Sequence, residues 1–308
     1  MAKDKGFESS RKTPHKRWTK DRIIGLLLFL PAIVLMLALG LYPILRVVTY
    51  SLYKVDIFLT DQEFSGLENL IRVVTWNRIW KGVWNNVVFT GGSIIIQIIL
   101  GIFVSLLLHR SFFGRNIARS IVMFSYLVPV VVTVLVWKFM LNDIVGIVNY
   151  VIKAYNLPIP TTWFSAVSTA MPSLIMVNVW KFFPFMVLVF LAQLQSINPE
   201  LYEVAKVDGS NAWQEFWHIT LPMLTPVIII AAMLRTIWTF NNFELIKLLT
   251  DGGPLGSTET PPLIMYNVVF NTYDLGLGSS ISVFMFLLLF MMSFVYIKLY
   301  YWSEEQLK

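Results

Sequence analysis

Residues 87–108 read VVFTGGSIIIQIILGIFVSLLL, a run without a single charge. A hydrocarbon layer about 30 Å thick is crossed by about 20 such residues in an α-helix, each advancing it by about 1.5 Å. The run is apolar on every side and does not alternate, so it fits a helix among lipid and other helices and not a barrel strand. Outward from it, 277–297 repeats the pattern, and 23–45, 120–137, 171–192 and 223–246 reach the same length with few or no interruptions. Pro31, Gly40, Pro129 and Pro184 fall inside these runs. They are tolerated there because neighbouring helices satisfy the freed backbone groups. The expected fold is an all-α integral membrane protein with six transmembrane helices over residues 23–301, between a basic tail (1–22) and a short tail (302–308).

Composition agrees. Of 308 residues, 56% are hydrophobic and 14% charged, too little charge to disperse a soluble chain of this size. Cysteine is absent, which excludes disulfides, thiolate metal sites and cysteine nucleophiles. Eight Lys and Arg precede Ile23, and Arg110, Arg115 and Arg119 lie together in the 109–119 connection without an acid. Such excess marks cytoplasmic segments, so both termini are expected in the cytoplasm. The net charge of +6 reflects this topology and contact of the tail with anionic membrane lipid, and no nucleic-acid partner is expected. The first apolar run is too long for a signal-peptide core and is expected to stay as an anchor.

The long cytoplasmic segment, 193–222, carries further signals. In Asn198-Pro199-Glu200 the Asn suits a cap, the Pro the first helical position and the Glu the positive end of the helix dipole. Gly209 suits a left-handed ending. Asn211 and Gln214 have capping-box spacing, which predicts a second short helix over 212–219 before Pro222 opens the fifth span. Two short helices at a membrane face form a docking knuckle. The alternative, helices lying on lipid, conflicts with Glu200, Glu203, Asp208 and Glu215 against the single Lys206. The same acidity argues against a DNA-binding helix-turn-helix.

The residues Glu203-Val204-Ala205, Asp208-Gly209 and Ile219-Thr220-Leu221-Pro222 resemble the coupling motif of ABC importer permeases, with Val204 where Ala is usual. Leu201-Tyr202-Glu203, Phe216-Trp217 and the turn Leu249-Thr250-Asp251-Gly252-Gly253-Pro254 are similar to the carbohydrate-uptake branch, in the subunit type of the maltose transporter's larger membrane protein. The resemblance implies a type I ABC importer permease core in a bacterial or archaeal cytoplasmic (inner) membrane. It also implies a second homologous permease, two ATPase subunits and an external solute-binding protein as partners, and a sugar as cargo. Glu203, Ala205, Asp208 and Gly209 would couple to the ATPase. No cofactor is expected in this chain, since a Gly-rich Lys-Ser/Thr phosphate loop is missing from the sequence and ATP and Mg would sit on the ATPases.

Ionisable groups at membrane depth are few: Lys181, Arg235 and, toward the outer end of the fifth run, Glu244. Amides such as Asn178, Asn241 and Asn242 suit a hydroxyl-rich ligand, and equally suit bonds between helices. The resemblance places Tyr126, Asn178, Phe185, Trp238, Thr239 and Asn242 at sugar-pocket positions. Lys181 and Phe182 depart from the maltose pattern, and a cation at 181 would suit an acidic sugar. A proton- or sodium-driven transporter would need a carboxylate near the midplane of a run, and none is present. Within the importer class the alternative cargo is another small solute such as glycerol phosphate.

Overall fold

The computed structural model describes residues 20–159 and 162–305. The basic tail up to residue 19, residues 160–161 and the last three residues lie outside the described part. Two units divide at Val47 and Val48. The first holds α1 (Lys20–Met36), a π-helical segment (Leu37–Leu41) and the start of α2 (Tyr42–Ser51). Leu27–Ser51 is long and apolar enough to cross a membrane, past the expected end at residue 45.

The second unit opens with a short antiparallel hairpin, β1 (Tyr53–Val55) and β2 (Gln62–Phe64), which pairs Tyr53 with Phe64 and Val55 with Gln62. The fold is therefore helical with one small hairpin. After α3 (Glu68–Thr75), α4 (Asn77–His109) contains the uncharged run but starts at Asn77. Its added first turns carry Arg78, Trp80, Lys81 and Trp84, a mixture suited to the membrane–water boundary and therefore invisible to a search for uncharged residues.

The third expected span, 120–137, is broken. α5 (Arg115–Leu127) and α6 (Val130–Met140) meet at 96°. Pro129 lacks an N–H, and the residue before a proline is pushed from helical geometry; Val128 is extended, with φ −63° and ψ 131°. Among the described residues five helical stretches are long and apolar enough to cross a membrane, and the bent pair makes a sixth if it counts as one span.

Beyond α7 (Ile147–Ala154), α8 (Val167–Ser196) is followed by α9 (Glu200–Val207) and α10 (Ala212–Glu215). α10 does not end as a separate helix. It continues through a π-helical segment (Phe216–Thr220) into α11 (Leu221–Phe240), so that Ala212–Phe240 forms one membrane-length stretch. Pro222 lies at an early position of α11, just after that widened turn. The fifth span also stops earlier than expected, at Phe240: the Asn242 side chain accepts the Leu245 N–H at 3.2 Å, at the start of α12 (Glu244–Leu249). Glu244 thus lies in α12, outside α11. α13 (Pro261–Asn271) and α14 (Leu275–Glu305) complete the unit, and α14 extends through residues 302–305, which the sequence suggested as tail.

Close approach of α4 and α8 holds the centre. A side chain added at Gly101 would place its Cβ 2.6 Å from the Met186 Cβ, so only glycine admits this contact. Small residues serve this purpose between membrane helices, where packing and not water exclusion drives association. Phe190, fully buried, fills the next layer with Leu194, Leu224 and Ala231. Toward the opposite end Phe89, Val134, Leu174 and Leu245 join α4, α6, α8 and α12.

Candidate functional site

The knuckle is assembled by local rules. The Asn198 side chain accepts the Glu200 N–H at 3.1 Å, which starts α9. Its far end closes with Ser210 N–H donating to the Ala205 carbonyl and Gly209 N–H to that of Lys206, both at 3.0 Å. These are the paired bonds of a Schellman ending, which needs a left-handed residue, and Gly209 supplies it at φ +83°. Asn211 then accepts from the Trp213 and Gln214 N–H groups while the Gln214 side chain accepts the Asn211 N–H at 2.9 Å, completing the capping box.

One contact fixes α9 to the spans, and a second joins the two spans that flank the knuckle. The Tyr202 hydroxyl meets the Thr220 hydroxyl at 3.0 Å, at the base of α11. Gln193, near the end of α8, donates to the Met223 carbonyl at 3.1 Å. Nothing on α9 is buried: Leu201, Val204 and Val207 are exposed, Val207 to 87%, beside exposed Glu203 and Asp208. Ala205 is half-buried. An apolar strip bordered by acids and held rigid from behind is what a partner protein can grip.

The second candidate surface lies between α5, α8 and α11. Tyr126 packs edge-on to Phe182 with ring centroids 6.4 Å apart, and Phe185 edge-on to Trp238 at 5.2 Å. The Arg235 guanidinium joins the two pairs, 4.4 Å from the Phe182 centroid and 5.9 Å from that of Trp238. Tyr126 and Trp238 remain 41% and 47% exposed. They form an aromatic wall.

The polar residues stand behind it. Asn178 and Thr239 are buried. Gln97 donates to the Asn178 side-chain oxygen at 3.0 Å and accepts from Arg235 Nε at 3.1 Å, while Arg235 Nη2 donates to the Thr239 hydroxyl at 3.2 Å. This chain, Asn178–Gln97–Arg235–Thr239, ties α8, α4 and α11 together. Asn242 stands apart, half-buried and engaged with α12. The structure therefore brings Tyr126, Phe185 and Trp238 to one surface, places Asn178 and Thr239 in the hydrogen-bonded frame behind it, and gives Asn242 a capping bond.

Lys181 is buried, and its ammonium donates to the carbonyls of Ser125, Tyr126 and Val128, at 3.0 Å and 2.7 Å for the first two. These oxygens belong to the end of α5, where the break removes their helical partners and the dipole is negative. All three ammonium protons are thus occupied.

Residues 97–307 match the family described as binding-protein-dependent transport system inner membrane component. The chain belongs to this family. Among the members it resembles is the trehalose/maltose transport system permease protein MalF of Thermococcus litoralis, 34% identical, with 91% of this chain and 94% of that protein aligned. The inner membrane ABC transporter permease protein YcjO of Escherichia coli is 32% identical, over 88% of this chain and 92% of its own. In fold, the permease superposes on a chain of a bacterial ABC transporter involved in the import of the acidic polysaccharide alginate, with TM-score 0.76 and 21% identity over 94% of this chain and 96% of that one. The protein is accordingly an ABC importer permease subunit of the membrane.

In this permease the sequence singled out the aromatic members of the wall but missed Gln97. The signal was present, since Gln97 is the lone amide in the uncharged 87–108 run, and a polar residue at such depth calls for a partner. In the turn after α12, Asp251 and Gly252 take left-handed conformations, at φ +51° and +81°. The turn is fastened by Thr258, whose hydroxyl donates to the Gly253 carbonyl at 2.7 Å, and by Arg78 Nε donating to Glu259 at 2.8 Å.

Proposed function

We propose that this permease forms half of the translocation path of an ATP-driven importer for a sugar or oligosaccharide, and that α9 is its coupling helix. The exposed strip of α9 on a rigid mount is the observation that carries the reading. The complete transporter would pair the chain with a second homologous permease, two ATPase subunits and an external solute-binding protein. ATP and Mg bind on the ATPases, with no cofactor in this chain. Both termini and the 193–222 segment face the cytoplasm, in accord with the Lys and Arg excess.

ATPase closure would displace α9 through Leu201, Val204 and Val207, with Glu203 and Asp208 fixing its orientation by charge. Tyr202 carries that displacement to the base of α11, and the bond from Gln193 to Met223 couples α11 to α8. Those helices bear Trp238 and Phe185, so motion at the knuckle reaches the aromatic wall. Two discrete arrangements of these helices give alternating access. At the wall, Tyr126, Phe185 and Trp238 cover the apolar faces of a sugar ring while its hydroxyls seek amide and hydroxyl partners. The saccharide assignment is supported by the trehalose and maltose named for the Thermococcus relative.

The test uses two substitutions at Gly209. No atom lies within 4 Å of a Cβ built there, so space is no obstacle and backbone conformation alone decides. Asn tolerates the left-handed region and a β-branched residue does not. Gly209→Val is expected to insert normally yet lose transport and substrate-stimulated ATP hydrolysis, with Gly209→Asn retaining most of both. Full transport by Gly209→Val would refute the docking role.

A further inference from the structure

Arg235 and Lys181 share the ring of Phe182, with Arg235 Cζ 4.4 Å and Lys181 Nζ 5.5 Å from its centroid. Both side chains are 3% exposed. Charges in such a place ordinarily carry a counter-charge, because desolvation is costly. Here the surrounding helices contain none: α4, α5, α6, α8 and α11 are without a single Asp or Glu. Among the described residues the ion pairs are Lys54–Glu68, Arg72–Asp274, Arg78–Glu259 and Lys247–Asp251, all elsewhere.

The two cations differ in what they can still bind. Lys181 has all three protons on backbone carbonyls and contributes field only. Arg235 uses Nε and one Nη2 proton, on Gln97 and Thr239. Its Nη1 donors have no hydrogen-bond partner among the described residues. The Asn178 Nδ2, in the same network and fully buried, also has no acceptor. A site with two positive charges, unmatched donors and no acid is built for an anion, and low local dielectric extends its field to the exposed Tyr126 and Trp238 rings.

We infer that the cargo passing the Tyr126–Trp238 wall is an anionic saccharide, one bearing a carboxylate, sulfonate or phosphate, with Arg235 as the residue that discriminates its charge. This rests on the saccharide reading above. Arg235 acts as a fork-shaped donor to the anion, a geometry that carboxylate, sulfonate and phosphate share. Lys181 raises the potential without touching the cargo.

The experiment is uptake by the assembled transporter, with its own binding protein and ATPases, in proteoliposomes. The probes are a uronate disaccharide, a sulfonated glycoside and a sugar phosphate, against uncharged maltose and trehalose. At least one charged probe is expected to be taken up in preference to both neutral sugars. Arg235→Gln is expected to lower its uptake roughly tenfold or more and to shift the charged-to-neutral ratio, whereas Arg235→Lys keeps the ratio. A merely structural Arg235 would lower all uptake alike and leave that ratio fixed, which would overturn the assignment. Transport of neutral sugars only would overturn it too, while leaving the saccharide reading intact. Transport of a non-saccharide alone would instead sink the saccharide reading.

Discussion

Lys181 and Tyr126 meet through the backbone: the Lys181 ammonium donates to the Tyr126 carbonyl at 2.7 Å, with its nitrogen 5.7 Å from the ring centroid of the same tyrosine. A lysine on α8 therefore stabilises the helix break of α5 and aims a wall residue.

Replacing Lys181 by Met leaves the carbonyls of Ser125, Tyr126 and Val128 without their donor at nearly constant volume. Each unsatisfied buried acceptor costs about 1–3 kcal/mol, reduced where water or the backbone adjusts. The expected loss is about 2–4 kcal/mol, read as a lower unfolding temperature of the detergent-solubilised complex. Unchanged thermal stability would show that the break holds itself.

Gln97 links Asn178 to Arg235, so Gln97→Leu and Asn178→Leu should not be independent. Coupling energies between polar side chains in membrane bundles average about 0.6 kcal/mol and reach about 1.7. A double-mutant cycle on stability is expected to return a value toward the upper end, since both partners are fully buried. Additive effects would separate the two residues.

Tyr202→Phe removes one hydroxyl pair, with Thr220, and keeps the ring. The stability change is expected to be about 1 kcal/mol or less. Substrate-stimulated ATP hydrolysis should fall more than stability suggests, because the link from α9 to the base of α11 is loosened. Equal coupling in mutant and parent would remove Tyr202 from the transmission path.

Much of this was legible in the sequence because the signals are local. Uncharged runs name the spans, Asn211 and Gln214 three residues apart name a capping box, and Gly209 after Asp208 names the end of α9. What stayed hidden depends on distant partners. The resemblance placed Asn178 and Thr239 at pocket positions, but their bonds to Gln97 and Arg235 were out of sight because Gln97 lies far from both in the chain. Lys181 suggested an acidic cargo, whereas the carbonyls that occupy it exist only because Pro129 breaks the third span. That break was ambiguous in sequence, since a proline inside an apolar run is compatible with a continuous membrane helix. The continuity of α10 with α11 was hidden for a related reason: Pro222 suits a helix start, yet the chain runs through a π-helical turn into α11 without a break.

The central claim, that α9 is the contact with the ATPase, is tested most directly at Val207, exposed to 87% at the end of that helix. The chain has no cysteine, so Val207→Cys introduces a single thiol. In membranes holding the assembled transporter, a short thiol-reactive cross-linker is expected to join it to the ATPase subunit, with a yield that changes when ATP is added. A Val207→Cys thiol that reacts freely with soluble reagent in the assembled complex and never cross-links to the ATPase would contradict the account.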